Sequence, residues 1–320
     1  MNDTAAKSGR RMLPTDRIAY SAITDRPPLK LPGGARMAIW VIVNVEEWDP
    51  KDTMPRTVLS PPAGGAPTPD IPNWCWHEYG NRVGFWHFIK VFDEFAIPGV
   101  LAINGCAIEA YPPIVKAALD RKWEFIGHGF TQRNMQKVPD EKADIHMTTE
   151  AIKKATGKPP RGWLGPGLTE TWETPDLLKE DGYDYVADWV LDDQPVWLKT
   201  RGKPIVNIPY TQECNDVAMM LIQHHKASEY YDRAMDQFEQ IYADAEDSAR
   251  VMALGGETLN GPRYIWWNFV ASSQARIDAA KADWRAGRMR LPDADHLEFI
   301  PLPEEPVRAQ TPPEPAKPEP

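Results

Sequence analysis

The sequence is poor in cysteine and has no long apolar run, and each shortage removes a class of function. Its three cysteines, Cys75, Cys106 and Cys214, are odd in number and in no metal-type spacing. They read as free thiols in a reducing compartment, not as a disulfide framework or a structural zinc site. No window approaches the roughly 18 apolar residues that cross a bilayer, and the amino terminus MNDTAAKSGRRMLP has no apolar stretch of the secretory kind. Lys and Arg do not cluster, and the formal net charge is −10. A nucleic acid or an anionic membrane surface is therefore not the expected partner. The expectation is a cytoplasmic protein acting on a small molecule.

What is present is enough for a large core: 320 residues, 42% hydrophobic and 10% aromatic. The most informative stretch is AIWVIVNVEEWD, Ala38 to Asp49. Its apolar run, interrupted at Asn44, reads as a strand covered on both faces, ending in the carboxylates Glu46 and Glu47. Carboxylates at the carboxyl end of such a strand stand where α/β folds place their chemistry, although an acidic surface turn has the same composition.

Residues 1–36 are polar and proline-bearing and read as an extended lead-in. A proline-rich stretch from Pro50 to Pro72 reads as a long loop, and Phe85, Phe88, Ile89, Phe92 and Phe95 then repeat at helical spacing until Pro98-Gly99. From Val100 to Leu254 short β-type runs alternate with helical ones. The strands are placed at 100–103, 123–126, 161–164, 183–187, 205–208 and 250–254, and the helices at 112–120, 140–156, 174–181 and 226–247. Strand-then-helix units with short connections predict a mostly parallel sheet, closed or nearly closed into a barrel over 37–254. Beyond Leu254 the texture turns glycine-rich and aromatic, with a helix from Ser273. Residues 301–320 are proline-rich and charged and read as a disordered tail.

Several polar residues follow strands in the same way as Glu46. FIGHGFTQRN puts His128 just past a strand with Gln132 four residues on, a position from which a histidine can ligate a metal or polarise a substrate. RGWLGPG carries Arg161 and Trp163, and Asp188 follows the next strand. Asn104 and Glu109 sit where another strand meets its loop. Trp74, Trp76, Glu78 and Tyr79 line a pocket from the long loop or pack as an aromatic lid. His77, His87, His146 and His296 are read as surface residues.

These stretches, taken in order with WHEYGNRVG, LAINGCAIEAYP and YDYVADWVLDDQPVW, resemble the polysaccharide deacetylase (NodB-homology) family over about residues 15–253. The closer likeness is to its cytosolic, allantoinase-like branch. The resemblance implies a distorted (β/α) barrel and hydrolysis of an amide carbon–nitrogen bond. It matches Glu46 to the catalytic base, Glu47 to a metal-ligand carboxylate and His128 to the first metal histidine, while Gln132 stands where the second would be. It therefore implies either no cofactor or a weakly bound divalent metal such as zinc. On this reading Arg161 supports the oxyanion, and Trp76, Glu78, Tyr79, Asn104, Glu109, Gln132, Trp163 and Asp188 bind substrate.

The family's closing glycine-histidine-proline segment is missing. LGGETLNGPRYIWWNFVASSQARIDAAKADWRAGRM and FIPLPEE instead resemble the C-terminal end of a pirin, over about residues 252–306. The barrel is thus expected to be incomplete, with a pirin-like segment at 255–300. Three functions are implied: a hydrolase of small cyclic amides, imides or ureides; an N-acetyl-glycan deacetylase; or an inactive fusion that binds a ligand or partner. The extended YIWWNF segment makes a homo-oligomer the expected assembly.

Overall fold

The computed structural model describes residues 13–59, 67–257, 264–266, 269–271 and 274–286. They divide between two compact units, residues 1–260 and 261–320. The tail at 301–320, His296, the Ser273 cap and part of the lead-in lie outside the described residues, as does the YIWWNF segment's continuous course.

The first unit is built on an eight-stranded sheet curled into a half-barrel. Its strands are β1 Met37–Val45, β2 Gly99–Ile103, β3 Glu124–Gly127, β4 Gly162–Trp163, β5 Tyr185–Val186, β6 Val196–Leu198, β7 Ile205–Asn207 and β8 Arg250–Glu257. They lie side by side as β6-β7-β5-β4-β3-β2-β1-β8. All neighbours are parallel except β6 and β7. The helices are α1 Ile71–Tyr79, α2 Phe85–Glu94, α3 Ala107–Ala110, α4 Pro112–Asp120, α5 Glu141–Thr156, α6 Thr174–Glu180 and α7 Ala227–Asp244.

Side-chain alternation along the strands divides the core into two layers. On β2, Leu101 and Ile103 face outward with Val43 and Val45 of β1, packing on Phe85, Ile89 and Phe92 of α2 and Ile114 and Ala118 of α4. Val100 and Ala102 face inward with Ile42, Ile126, Leu164, Ala187, Tyr210 and Ala253. The same period puts Asn44 and Glu46 on the inner side with Ile42, and turns Glu47 the other way.

Local signals explain the element ends. Asp140 caps α5 by accepting from the Ala143 amide at 3.0 Å, and Gly157, at φ 80°, ends it in the left-handed conformation that glycine adopts without steric cost. The loop expected up to Pro72 ends earlier. Asp70 caps α1 through the Asn73 amide at 3.2 Å with Pro72 in the first turn, and a π-turn at Gly80–Gly84 carries the helical path into α2. The antiparallel β6 was not expected from the sequence.

β1 is the longest strand and pairs with β8 along nearly its whole length, from Met37↔Arg250 to Asn44↔Glu257. The outer side of β8 is met by a bridge between Asn215 and Gly255 and by the Val251 amide donating to the Asp193 carbonyl at 2.9 Å. The second unit contains an antiparallel pair, β9 Tyr264–Trp266 and β10 Phe269–Ala271, and the helix α8 Gln274–Arg285.

Candidate active site

Four strand ends meet at one place. Glu46 follows β1, His128 follows β3, Leu164 follows β4 and Asp188 follows β5, so the parallel strands deliver them to the carboxyl side of the sheet. Glu46 and His128 are both buried, and Glu46 Oε1 lies 3.3 Å from His128 Nε2. The other ring nitrogen, Nδ1, hydrogen-bonds the Leu164 carbonyl. A carbonyl only accepts, so Nδ1 carries a proton. The contact between Nε2 and the carboxylate then requires one further proton, which the pair shares.

Glu46 has two more supports. Trp48 Nε1 donates to Oε2 at 2.7 Å, and Trp48 stacks on His77 with ring centroids 4.6 Å apart. The Glu46 carbonyl is held by His77 Nε2 at 2.9 Å and Asn81 Nδ2 at 3.0 Å. Burial pushes the Glu46 carboxyl upward. The hydrogen bond and charge of His128, with the Trp48 donor, outweigh burial and hold it below the usual carboxylate range. Burial also holds His77 below the ordinary histidine value.

Behind His128 lies a second acidic pair. Asp188 Oδ1 accepts from the Gly165 amide at 2.7 Å, and Trp189 Nε1 donates to Glu170 Oε2 at 2.7 Å. Asp188 Oδ2 and Glu170 Oε1 are buried and have no donor of their own. A proton on Glu170 provides one: burial and the adjacent Asp188 charge raise Glu170 well above the usual range, and burial pushes Asp188 up to about 6. Gly165 is required for this approach, because a Cβ there would stand 2.6 Å from Asp188 Oδ2.

The structure brings together Glu46, His128, Gln132, Asn104 and Asp188 from the sequence-derived set, whereas Trp163, expected to bind substrate, is buried in the core against Tyr183. Asn104 Oδ1 accepts from the Glu47 amide at 3.0 Å, and its Nδ2 donates to the His128 carbonyl and to Gln132 Oε1 at 3.0 Å. Its role is to tie the loops after β1, β2 and β3 together. Glu78 is buried beneath this layer, accepting from Tyr111 OH and from Arg82 Nε at 3.0 Å. Trp76 lies by Trp48, centroids 6.2 Å apart, and Tyr79 is half-buried on the same helix.

Three further assignments are corrected. Arg161 precedes β4 and so stands at the amino end of its strand, 74% exposed and paired with Asp184 at 2.7 Å; it does not reach Glu46. Glu109 is 83% exposed beside Lys154. His77, expected on the surface, is buried against Glu46. The i, i+4 spacing of His77 and Asn81 was a signal for a shared helical face once the long loop was known to end in a helix. Trp48, Asn44, Arg56 and Glu170 were also not singled out from the sequence.

Glu47 is half-buried and faces Cys106, whose Sγ lies 3.5 Å from its Oε2. Burial and the nearby Asp49 and Glu78 charges raise Glu47, and burial with the Glu47 charge pushes the Cys106 thiol up to about 12, which leaves it unreactive. Glu47 is therefore turned from His128, with which it was expected to hold a metal. Gln132 spends its carbonyl oxygen on Asn104, and among the described residues no three acidic, histidine or cysteine side chains converge on one point. The donors present do not fit a hydrolytic zinc centre, which uses three protein ligands.

A cavity of about 210 Å³ opens onto Glu46 and His128, walled by Asn44, Arg56, Tyr210 and Asn215 among others. A wider groove of about 660 Å³ adjoins it and shares Arg56, Gln132 and Gly167.

Comparison with known proteins agrees with this architecture. Residues 74–186 match the polysaccharide deacetylase family, and residues 224–290 match the pirin C-terminal cupin domain. A pirin-like protein of Caulobacter vibrioides is 62% identical over 66 residues, 21% of this chain and 23% of that protein. A Schizosaccharomyces pombe protein assigned to the polysaccharide deacetylases is 26% identical over 254 residues, 70% of this chain and 79% of its own. Among solved structures, Puue allantoinase shares the fold with a TM-score of 0.66 at 22% identity, covering 87% of this chain and 91% of that one. The pirin match begins at 224 instead of 252, so α7 and β8, the strand flanking the Glu46 strand, both lie within it. The chain thus carries a stretch that matches the polysaccharide deacetylase family, followed by one that matches the pirin C-terminal cupin domain.

Proposed function

We propose that this protein hydrolyses the carbon–nitrogen bond of a small amide, imide or ureide, with Glu46 as the general base. The observation that carries the reading is the position of Glu46: buried on the inner face of the sheet, held ionised against His128, and open to a cavity of about 210 Å³. That volume lies below the usual range for drug-sized ligands and suits a small substrate.

In this mechanism the Glu46 carboxylate takes a proton from water as the water oxygen bonds to the amide carbon. The protonated carboxyl then gives that proton to the leaving nitrogen as the carbon–nitrogen bond breaks, releasing an acid and an amine. Donation to the leaving nitrogen returns Glu46 to its ionised state, and His128, positioned through the Leu164 carbonyl, balances the Glu46 charge at the start and end of the cycle. No step requires a metal, in keeping with the donor set.

Removal of an acetyl group from a glycan is the second reading. The groove of about 660 Å³ beside the cavity and the likeness to the S. pombe protein favour it. Incubation with allantoin, hydantoins, cyclic imides and an acetylated chito-oligosaccharide, each assayed for ring opening or acetate release, separates the two. Absence of turnover on all of them supports the inactive-fusion alternative. No helix among the described residues is long and apolar enough to cross a membrane. A cytoplasmic location and a homo-oligomeric assembly are part of the proposal.

A further inference from the structure

The cavity wall carries two polar groups that have no partner among the described residues. Arg56, on the loop between β1 and α1, lines both the cavity and the adjoining groove. Its Nε is shielded from water without a hydrogen-bond partner, and among the described residues no carboxylate stands within ion-pair distance of it. Arg133, which lines the groove alongside it, is by contrast paired with Asp52. The second group is Asn44 Oδ1, an acceptor on the inner face of β1 that is likewise buried and unpaired. Buried donors and acceptors are ordinarily satisfied, and the half-buried Arg56 side chain turns a shielded, unpaired Nε toward the cavity.

These two groups and Glu46 open onto one small space. A ligand that satisfies them presents an N–H to Asn44 and an anionic oxygen to Arg56, with a carbonyl carbon near Glu46. Among the described lining residues, the side chains that carry charge are Glu46, His128 and Arg56, with the Tyr210 phenol beside them. The Glu46 charge is already matched by His128, and among the described residues no carboxylate pairs with Arg56.

We propose that Arg56 is the specificity-determining residue of this site and that the substrate is a small amide bearing a carboxylate, of the N-acyl or N-carbamoyl amino acid class. The inference rests on the amide-hydrolase reading for the reaction but not for the binding. A guanidinium forms two parallel hydrogen bonds to a carboxylate, a geometry that neither a primary amide nor a neutral sugar reproduces.

The test measures binding in Glu46→Gln protein, where turnover does not intervene, by titration calorimetry with N-carbamoylglycine, N-acetylglycine and the primary amide of each. The acids are expected to bind about tenfold or more tightly than their amides, the margin of a charge-assisted hydrogen bond. Adding Arg56→Ala removes that margin, bringing each acid down to the affinity of its amide, and Arg56→Lys keeps part of it, which separates loss of charge from loss of fold. Equal affinity for acid and amide, an unchanged margin in Arg56→Ala, or no binding of either acid overturns the proposal. A failure to find turnover with any amide leaves this result readable and counts against the hydrolase reading alone.

Discussion

Glu46 Oε1 and His128 Nε2 lie 3.3 Å apart on the ends of two different parallel strands, and the Leu164 carbonyl fixes the tautomer of the ring. Both side chains are almost fully buried, so each depends on the other for charge compensation.

Removing one partner therefore leaves the other stranded. Glu46→Ala and His128→Ala are each expected to destabilise the protein by about 3–5 kcal/mol, and the double variant by clearly less than the sum. Denaturant unfolding of the four proteins in the cycle measures this. Additive losses would mean that the two side chains do not interact.

Glu170 and Asp188 give a pH dependence of the opposite sign to that of most acidic residues. Both carboxyls are raised in the folded state, so their contribution to stability is complete below the unfolded value near 4 and is lost as pH rises through the folded values, about 6 for Asp188. Glu170→Gln remains uncharged throughout. The variant should gain stability relative to the parent as pH rises from 4 to 8, each tenfold change in proton affinity being worth about 1.4 kcal/mol. Thermal melts at several pH values check this, and a constant difference would exclude the shared proton.

Gly165→Ala places a methyl group 2.6 Å from Asp188 Oδ2. Relief requires moving Asp188 or the backbone that carries the Leu164 carbonyl. A loss of about 1–3 kcal/mol is expected, together with weakened turnover because His128 is reoriented. Stability and rate measured on the same preparation test whether both fall.

Arg161→Ala and Glu109→Ala should change neither. Their ion pairs, with Asp184 and Lys154, are exposed, and such pairs contribute about 0–1 kcal/mol. Rates within twofold of the parent are expected in the turnover assay. A large loss for Arg161→Ala would restore it to the site.

The strand pattern was legible because buried parallel strands and their helices leave plain apolar periods. α4 begins and ends at Pro112 and Asp120 as read, since Tyr111-Pro112-Pro113 can start a helix but not continue one. The candidate site was most legible where a residue stands within two positions of its strand's end, as Glu46, His128 and Asp188 do. Arg161 failed because it precedes its strand, and the two ends of a parallel strand lie on opposite sides of the sheet. Glu47 failed by the period of two, which turned it toward Cys106. His77, Asn81 and Arg56 were hidden because what brings them to Glu46 is the path of the loop and helix after β1, a tertiary feature with no local period. The extent of the pirin-like segment was underread because α7 and β8 satisfy the barrel's own strand and helix pattern.

The central claim is that Glu46 performs amide hydrolysis, and it is tested most directly by kcat/KM for the best substrate of the amide, ureide and chito-oligosaccharide panel, in the parent and in Glu46→Gln. The account predicts turnover in the parent and a loss of about 10²–10⁴ in the variant, with both proteins folded. Equal rates in the two proteins, or no turnover by the parent on any of the substrates, would contradict it.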